Sequence, residues 1–185
     1  LEGEVDHTRY LSNDDGHLLV KTSIPAGETS TYSRMYLLVS SPLLNMSGSH
    51  LGFTTGTLQK NTDPNESISL TKASDKEYYL EYIPDNPLQA GDRLEINIPF
   101  TVGTTAIEQM SGITVEAYVT NSTTISNKFT PSSADRNGED MLSFAFGSYD
   151  YRFSFTYRGT ASPFSFPPAP YSFFPPITPL PVTPM

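Results

Sequence analysis

The sequence predicts an all-β chain built as an antiparallel sandwich or barrel. Three observations carry that prediction. Apolar residues recur with a period of two in short runs. Those runs are divided by turn-forming clusters such as "SNDDG", "NTDPNES" and "PDNPLQAGD". No window shows the three-to-four apolar period of an amphipathic helix, and the only place where a short helix is allowed is "TAIEQMSG" in a loop.

In chain order, strand-like runs fall at "HLLVKTSI" (17–24), "MYLLVSS" (35–41), "HLGFTTGTL" (50–58), "SISLT" (67–71) and "EYYLEYI" (77–83). The clearest follows "QAGD": Leu94, Ile96, Ile98 and Phe100 share one face, and Arg93, Glu95, Asn97 and Pro99 the other. Such alternation is a strand with one wet face. Pro99 has no N–H to give a ladder, so the strand is expected to end there or to run along an edge. Ile113, Val115, Ala117 and Val119 repeat the pattern against Thr114, Glu116, Tyr118 and Thr120. Two further strands are expected at "MLSFAF" (141–146) and "YRFSFTYR" (151–158), the latter with Tyr151, Phe153, Phe155 and Tyr157 as a core face.

After Gly159 the composition changes to a charge-free, proline- and aromatic-rich segment, "TASPFSFPPAPYSFFPPITPLPVTPM". Proline at that density cannot supply regular ladder bonds, so the segment is expected to be an extended C-terminal arm. Clustered aromatics usually mark contact surfaces, which makes Phe164, Phe166, Tyr171, Phe173 and Phe174 the candidate assembly contacts. The expected division is a β-sandwich domain over 1–159 and an arm over 160–185.

Composition excludes several functions. Eleven Lys and Arg stand against 20 Asp and Glu, a formal charge of -9, so a nucleic-acid surface built on a basic patch is not expected and any RNA contact is local. The absence of cysteine rules out disulfides and thiolate zinc sites. No apolar run approaches the roughly 20 residues of a membrane helix, and no signal-peptide layout opens the chain, so membrane insertion is not expected. A first residue of Leu1 fits a fragment, a matured secreted chain or a polyprotein product.

Single motifs are weak. His7, His17 and His50 with Asp6 and the many serines show no nucleophile elbow, and no catalytic residues are assigned. "DRNGED" (Asp135, Asn137, Gly138, Asp140) and "SNDDG" (Asn13, Asp14, Asp15, Gly16) offer hard oxygen ligands without the distal glutamate of a full calcium loop, and read as ordinary acidic turns. No cofactor is expected. Lys21, Glu116 and Asn127 form a formal set for a self-made lysine–asparagine isopeptide bond, read instead as solvated residues. The sequons at Asn45, Asn65 and Asn121 matter only in a eukaryotic secretory route. "LPVTP" (180–184) lacks the glycine of a sortase signal, and the PxxP spacings lack a neighbouring arginine.

The order of features is more informative. From residue 92, a strand ending "INIPF", a strand "GITVEAYVTN", a polar loop, an aromatic strand and an exit through "FPPAPYSFFPP" resemble the C-terminal half of the jelly-roll capsid proteins of picorna-like viruses, including comovirus-type small coat proteins. That resemblance implies a jelly-roll sandwich, a structural role in an icosahedral shell with other capsid subunits as partners, a possible host receptor, and a place in the virion. The alternative starts from "LQAGDRLEINIPFTVG", which resembles the stalk repeats of secreted bacterial surface proteins and implies an Ig-like sandwich in an extracellular or cell-surface adhesin module.

Because every long apolar pattern has period two, circular dichroism of the full chain should show less than roughly a tenth of residues in helix.

Overall fold

The computed structural model of the protein describes residues 2–5 and 9–149. In order, the strands are β1 (Glu2–Val5), β2 (Arg9–Leu11), β3 (Asp15–Ser23), β4 (Arg34–Ser40), β5 (Leu51–Phe53), β6 (Gly56–Lys60), β7 (Glu66–Ile68), β8 (Thr71–Ser74), β9 (Glu77–Tyr82), β10 (Arg93–Val102), β11 (Ile107–Thr120) and β12 (Asn137–Tyr149). No helix occurs among the described residues. The strands form two sheets: β1-β3-β10-β6-β7, with β5 also on β10, and β2-β12-β11-β4-β9-β8.

The apolar alternation decides what lies between the sheets. On β10, Leu94, Ile96, Ile98, Phe100 and Val102 are buried, and they meet Leu18 and Val20 of β3 and Leu58 of β6 on the same sheet. The facing sheet supplies Met35, Leu37 and Val39 from β4, Tyr78, Leu80 and Tyr82 from β9, and Ile113, Val115, Ala117 and Val119 from β11. Near the β2 end, Tyr10 stacks on Phe146 at 5.2 Å and meets Phe100 edge-on at 5.4 Å. Gly16, opposite Phe100 on β3, leaves room for those rings, since a Cβ there would stand 2.5 Å from the Phe100 ring.

The strand order fixes the kind of sandwich. The chain crosses between sheets from β3 to β4 and again from β10 to β11, returns by a β11–β12 hairpin, and lays β2 parallel to β12. These are the relations of an Ig-like key, with β1-β3-β10-β6 in the A-B-E-D places and β12-β11-β4 in the G-F-C places. The expected sandwich is present, and its strand order is that of the Ig-like alternative and not of the jelly roll.

Three local expectations are corrected. Pro99 neither ends β10 nor sits on an edge, because the strand runs on to Val102 between β3 on one side and β5 and β6 on the other. Its carbonyl accepts from Thr54 N at 2.9 Å, so its nitrogen faces the break between β5 and β6, where no ladder acceptor waits for an N–H. That break also divides the single strand expected over 50–58. Within "TAIEQMSG" the chain is strand from Ile107 on, forming the irregular start of β11, with a register shift between Ile107 and Ser111. β1 and β2 were not anticipated, and the strand expected over 151–158 and the arm over 160–185 lie outside the described residues.

At the start of β6, Gly56 lies so close to β10 that a Cβ would stand 2.1 Å from the Asn97 carbonyl oxygen. Backbone cannot retreat cheaply, so Gly56→Ala should lower the unfolding free energy by about 2–3 kcal/mol in urea titration.

Candidate functional surfaces

The catalytic and metal candidates separate once folded. His17 Nδ1 lies 2.9 Å from Asn97 Oδ1 on the outer face of the β3–β10 sheet, whereas His50 Nδ1 accepts the Asn45 N–H at 2.7 Å within a loop. His7 and Asp6 lie outside the described residues. In "SNDDG", Asp14 accepts from Leu11 N at 2.9 Å and closes the turn, whereas Asp15 accepts from the Thr101 hydroxyl at 2.8 Å and ties β3 to β10. In "DRNGED", Asp135 accepts from the Ser132 hydroxyl and Asp140 from Met141 N, each at 2.8 Å. Among the described residues no group of three or more His, Asp or Glu is placed to hold a metal.

The isopeptide set is also dispersed. Lys21 is half-exposed, 3.8 Å from Glu95 on the outer face of its sheet. Glu116 lies on the outer face of the other sheet, 2.8 Å from Arg136, and Asn127 accepts from Phe129 N at 3.0 Å. Of the sequon asparagines, Asn45 accepts from the Ser47 N–H and hydroxyl, Asn121 joins the Ser33 N–H to the Thr31 carbonyl, and Asn65 is exposed. The candidate contacts Phe164, Phe166, Tyr171, Phe173 and Phe174 lie outside the described residues, as do "LPVTP" and the PxxP spacings.

Two features stand out that single-strand patterns did not reveal. The first is a second apolar cluster on the outer face of the β4–β11 sheet, made by Tyr36, Leu38, Tyr118 and Ile125 with Tyr79 and Phe129 packed beside it. β4 is apolar on both faces because the β11–β12 loop, residues 121–136, roofs the outer one. Tyr118 donates its hydroxyl to the Lys128 carbonyl at 2.8 Å, Lys128 bonds the Ile125 carbonyl and sits 5.6 Å from the Tyr36 ring centre, and Arg136 lies 5.1 Å from that of Tyr118. Arg34 and the Tyr36 hydroxyl converge on Glu81. Burial, with the bond to Glu81 as the next cause, pushes the Tyr36 hydroxyl up to about 12, and burial raises Tyr118 as well. These phenols therefore stay neutral donors at physiological pH. The run "MYLLV" was the available signal, since strands apolar on both faces are covered on both faces.

The second is the "AGD" turn. Gly91 has φ of +85°, and Asp92, 7% exposed, accepts from Asn61 Nδ2 at 2.9 Å and from Gln89 N at 3.0 Å, with Lys60 Nζ 3.5 Å away. Asn61 returns the tie, accepting from Arg93 N at 2.9 Å. The start of β10 is thereby clamped to the end of β6. Beside it, an open recess of about 560 Å³ on the outer face of this sheet is lined by polar side chains including Lys21, Gln59, Arg93 and Glu95.

No protein-family model matches the chain, and no curated protein matches it. Among solved structures, the chain is similar to the N-terminal domain of an adhesin of Streptococcus gordonii, with a TM-score of 0.51 at 10% identity, over 78% of this chain and 31% of that one. It is similar to the major pilin subunit of Bacillus cereus with a TM-score of 0.51 at 10% identity, over 80% of this chain and 39% of that one. The chain thus spans well under half the length of either. A third structure, an enzyme described as catalysing macrocyclization in alchivemycin A biosynthesis, gives a TM-score of 0.46 at 8% identity, over 88% of this chain and 92% of that one, too low to support a common fold. The first two place the fold among the β-sandwiches found in bacterial adhesin and pilin structures.

Burial would raise the Asp92 carboxyl, but the bonds from Asn61 and Gln89 N and the Lys60 charge outweigh it and hold the group below the ordinary aspartate value. A depressed native value means stability that is complete above the unfolded-state value of about 4 and is lost as pH falls through the native one. Asp92→Ala, which strands Lys60 and unties the turn, should cost about 3–5 kcal/mol at pH 7. Asp92→Asn should lose less and show a flatter fall of Tm below about pH 4, as read by thermal melts across pH.

Proposed function

We propose that the chain is a non-catalytic β-sandwich module of a bacterial surface protein, extracellular in location, working as a rigid contact or spacer domain of the adhesin and pilin kind. The observation that carries this reading is the Ig-like strand order, which matches the alternative drawn from "LQAGDRLEINIPFTVG" and which the adhesin and pilin similarities support at the level of fold. The hydrogen-bonded and ion-paired clusters among the described residues support it further, because each ties a turn, a sheet face or a loop.

On this reading, contact is made by the outer faces and loops. The roofed β4–β11 face offers half-buried Tyr79 and Phe129 beside the charges of Lys128, Glu81 and Arg136, held in fixed positions by their mutual bonds. Fixed aromatic and cationic side chains suit recognition, since little rotamer freedom is lost on contact. The shell-forming reading rests on the resemblance of residues 92 onward alone, and none of the three structures described above is a viral coat.

Location is the decisive measurement. Antibody against the chain should label intact source cells, and protease shaving of those cells should remove the label. Recovery of the chain in closed, nuclease-resistant particles by electron microscopy, or only inside the cells, would overturn the proposal.

A further inference from the structure

The loop that roofs the β4–β11 face rejoins its sheet through "RNGE" (136–139). Asn137 is the only asparagine of the chain that precedes a glycine. The β11–β12 ladder is irregular at this point: Val119 lies opposite Asn137 and Ala117 opposite Asp140, so Gly138 and Glu139 together face Tyr118. That is a β-bulge, and its glycine has φ of +56°, a left-handed conformation that costs any residue with a Cβ. The fold therefore requires glycine directly after this asparagine. Gly138 is exposed and Asn137 partly exposed, so water reaches both. Chain neighbours aside, a Cβ on Gly138 would meet only a methyl group of Val119, at 3.5 Å, so the Gly138 nitrogen stands in open surroundings. The Asn137 amide is lightly held. Its Nδ2 donates to the Ala134 carbonyl at 3.4 Å, and its Oδ1 accepts no hydrogen bond among the described residues. Asn61 and Asn121, by contrast, are bonded at both ends of the amide.

We propose that Asn137–Gly138 is a site of self-modification, where loss of ammonia from the asparagine loosens the roof over the β4–β11 face. The Gly138 nitrogen attacks the Asn137 side-chain carbon Cγ, its proton leaves with Nδ2 as ammonia, and a five-membered succinimide closes. Water then opens the ring at either of two bonds. Cleavage between Gly138 N and Cγ gives aspartate, with the main chain unchanged. Cleavage between Gly138 N and the Asn137 main-chain carbonyl carbon gives isoaspartate, whose main chain runs through Cβ and Cγ and is one carbon longer. Nothing is oxidised or reduced, and water is the sole co-reactant. The position of the extra carbon gives it an effect. Arg136, just before it, bonds Glu139 at 2.6 Å and Glu116 at 2.8 Å and lies 5.1 Å from the Tyr118 ring centre. A longer chain at residue 137 displaces Arg136 from that set, and the new carboxylate competes with Glu116 and Glu139 for its guanidinium. The C-terminal end of the roof is then untied from the face it covers.

The full-length chain, aged at neutral pH and digested, should show by mass spectrometry the conversion of amide to acid in the peptide carrying residue 137. An exposed site that needs no global unfolding should react in the folded chain within about tenfold of its rate in the urea-unfolded chain. Slowing by more than about tenfold would overturn the proposal, because the fold would then shield the site. Asn137→Gln, which would have to close a larger ring, should keep its amide and an unchanged roof through the same ageing. The isoaspartate form, separated by its added negative charge, should exchange the backbone amides of residues 121–136 at least about tenfold faster than the unmodified chain. Equal protection of that loop in the two forms would also overturn the proposal. Neither readout depends on where the protein resides, so the surface-module reading keeps its own test.

Discussion

Burial of one face of β10 is the constraint on which the sandwich depends. Five alternate residues, Leu94 to Val102, are all 3% exposed or less, and the strand is paired on both sides. A slip of one residue would carry every one of them to the wet face and bring Arg93, Glu95 and Asn97 into the core. The register is therefore not negotiable, and the devices around β10 act to keep it. Asp92 and Asn61 clamp its first residue to β6, Gly56 lets β6 approach its middle, and Pro99 faces the gap where a second partner strand takes over. Each is a local solution to the same requirement.

Period two made most of this legible before any coordinates. β10 and the second half of β11 each follow a sequence alternation, and their inward residues are the ones the pattern names, while β3 and β9 fall on the strand-like runs 17–24 and 77–83. Where the reading failed, the cause was tertiary. Pro99 looked like a stop because its missing N–H was weighed without knowing that β5 and β6 leave a gap beside it. "HLGFTTGTL" looked like one strand because Thr54 and Thr55 alternate as well as any residues, and the break between β5 and β6 at that point has no local sequence mark. β1 and β2 are short, and their membership in different sheets comes from partners far along the chain.

The functional surfaces were less legible than the fold. Tyr118 was assigned to a wet face, which is correct for the sheet, yet the loop over 121–136 buries it. A roof of that kind leaves only the weak trace of apolar residues on both faces of β4. Asp92 was quoted as part of a turn, and its charge gave no hint that it would be buried with Lys60. Lys21, Glu116 and Asn127 show the opposite limit, because residue types suited to one reaction were present in the sequence while the fold placed them on separate surfaces.

The parallel pairing of β2 with β12 has a mechanical side. One strand lies near the N-terminal end of the domain and the other near its C-terminal end, and they run in the same direction. Tension applied along the chain would pull β2 back along its axis and draw β12 forward along the same axis. The bonds between them would then be loaded together, in shear, whereas a hairpin pulled at its open end gives way one bond at a time. Beneath that pair sit Tyr10 and Phe146, whose stacked rings would have to slide past each other before the sheets could part. A domain wired in this way resists stretching most at the first step of extension, while its full core is still closed.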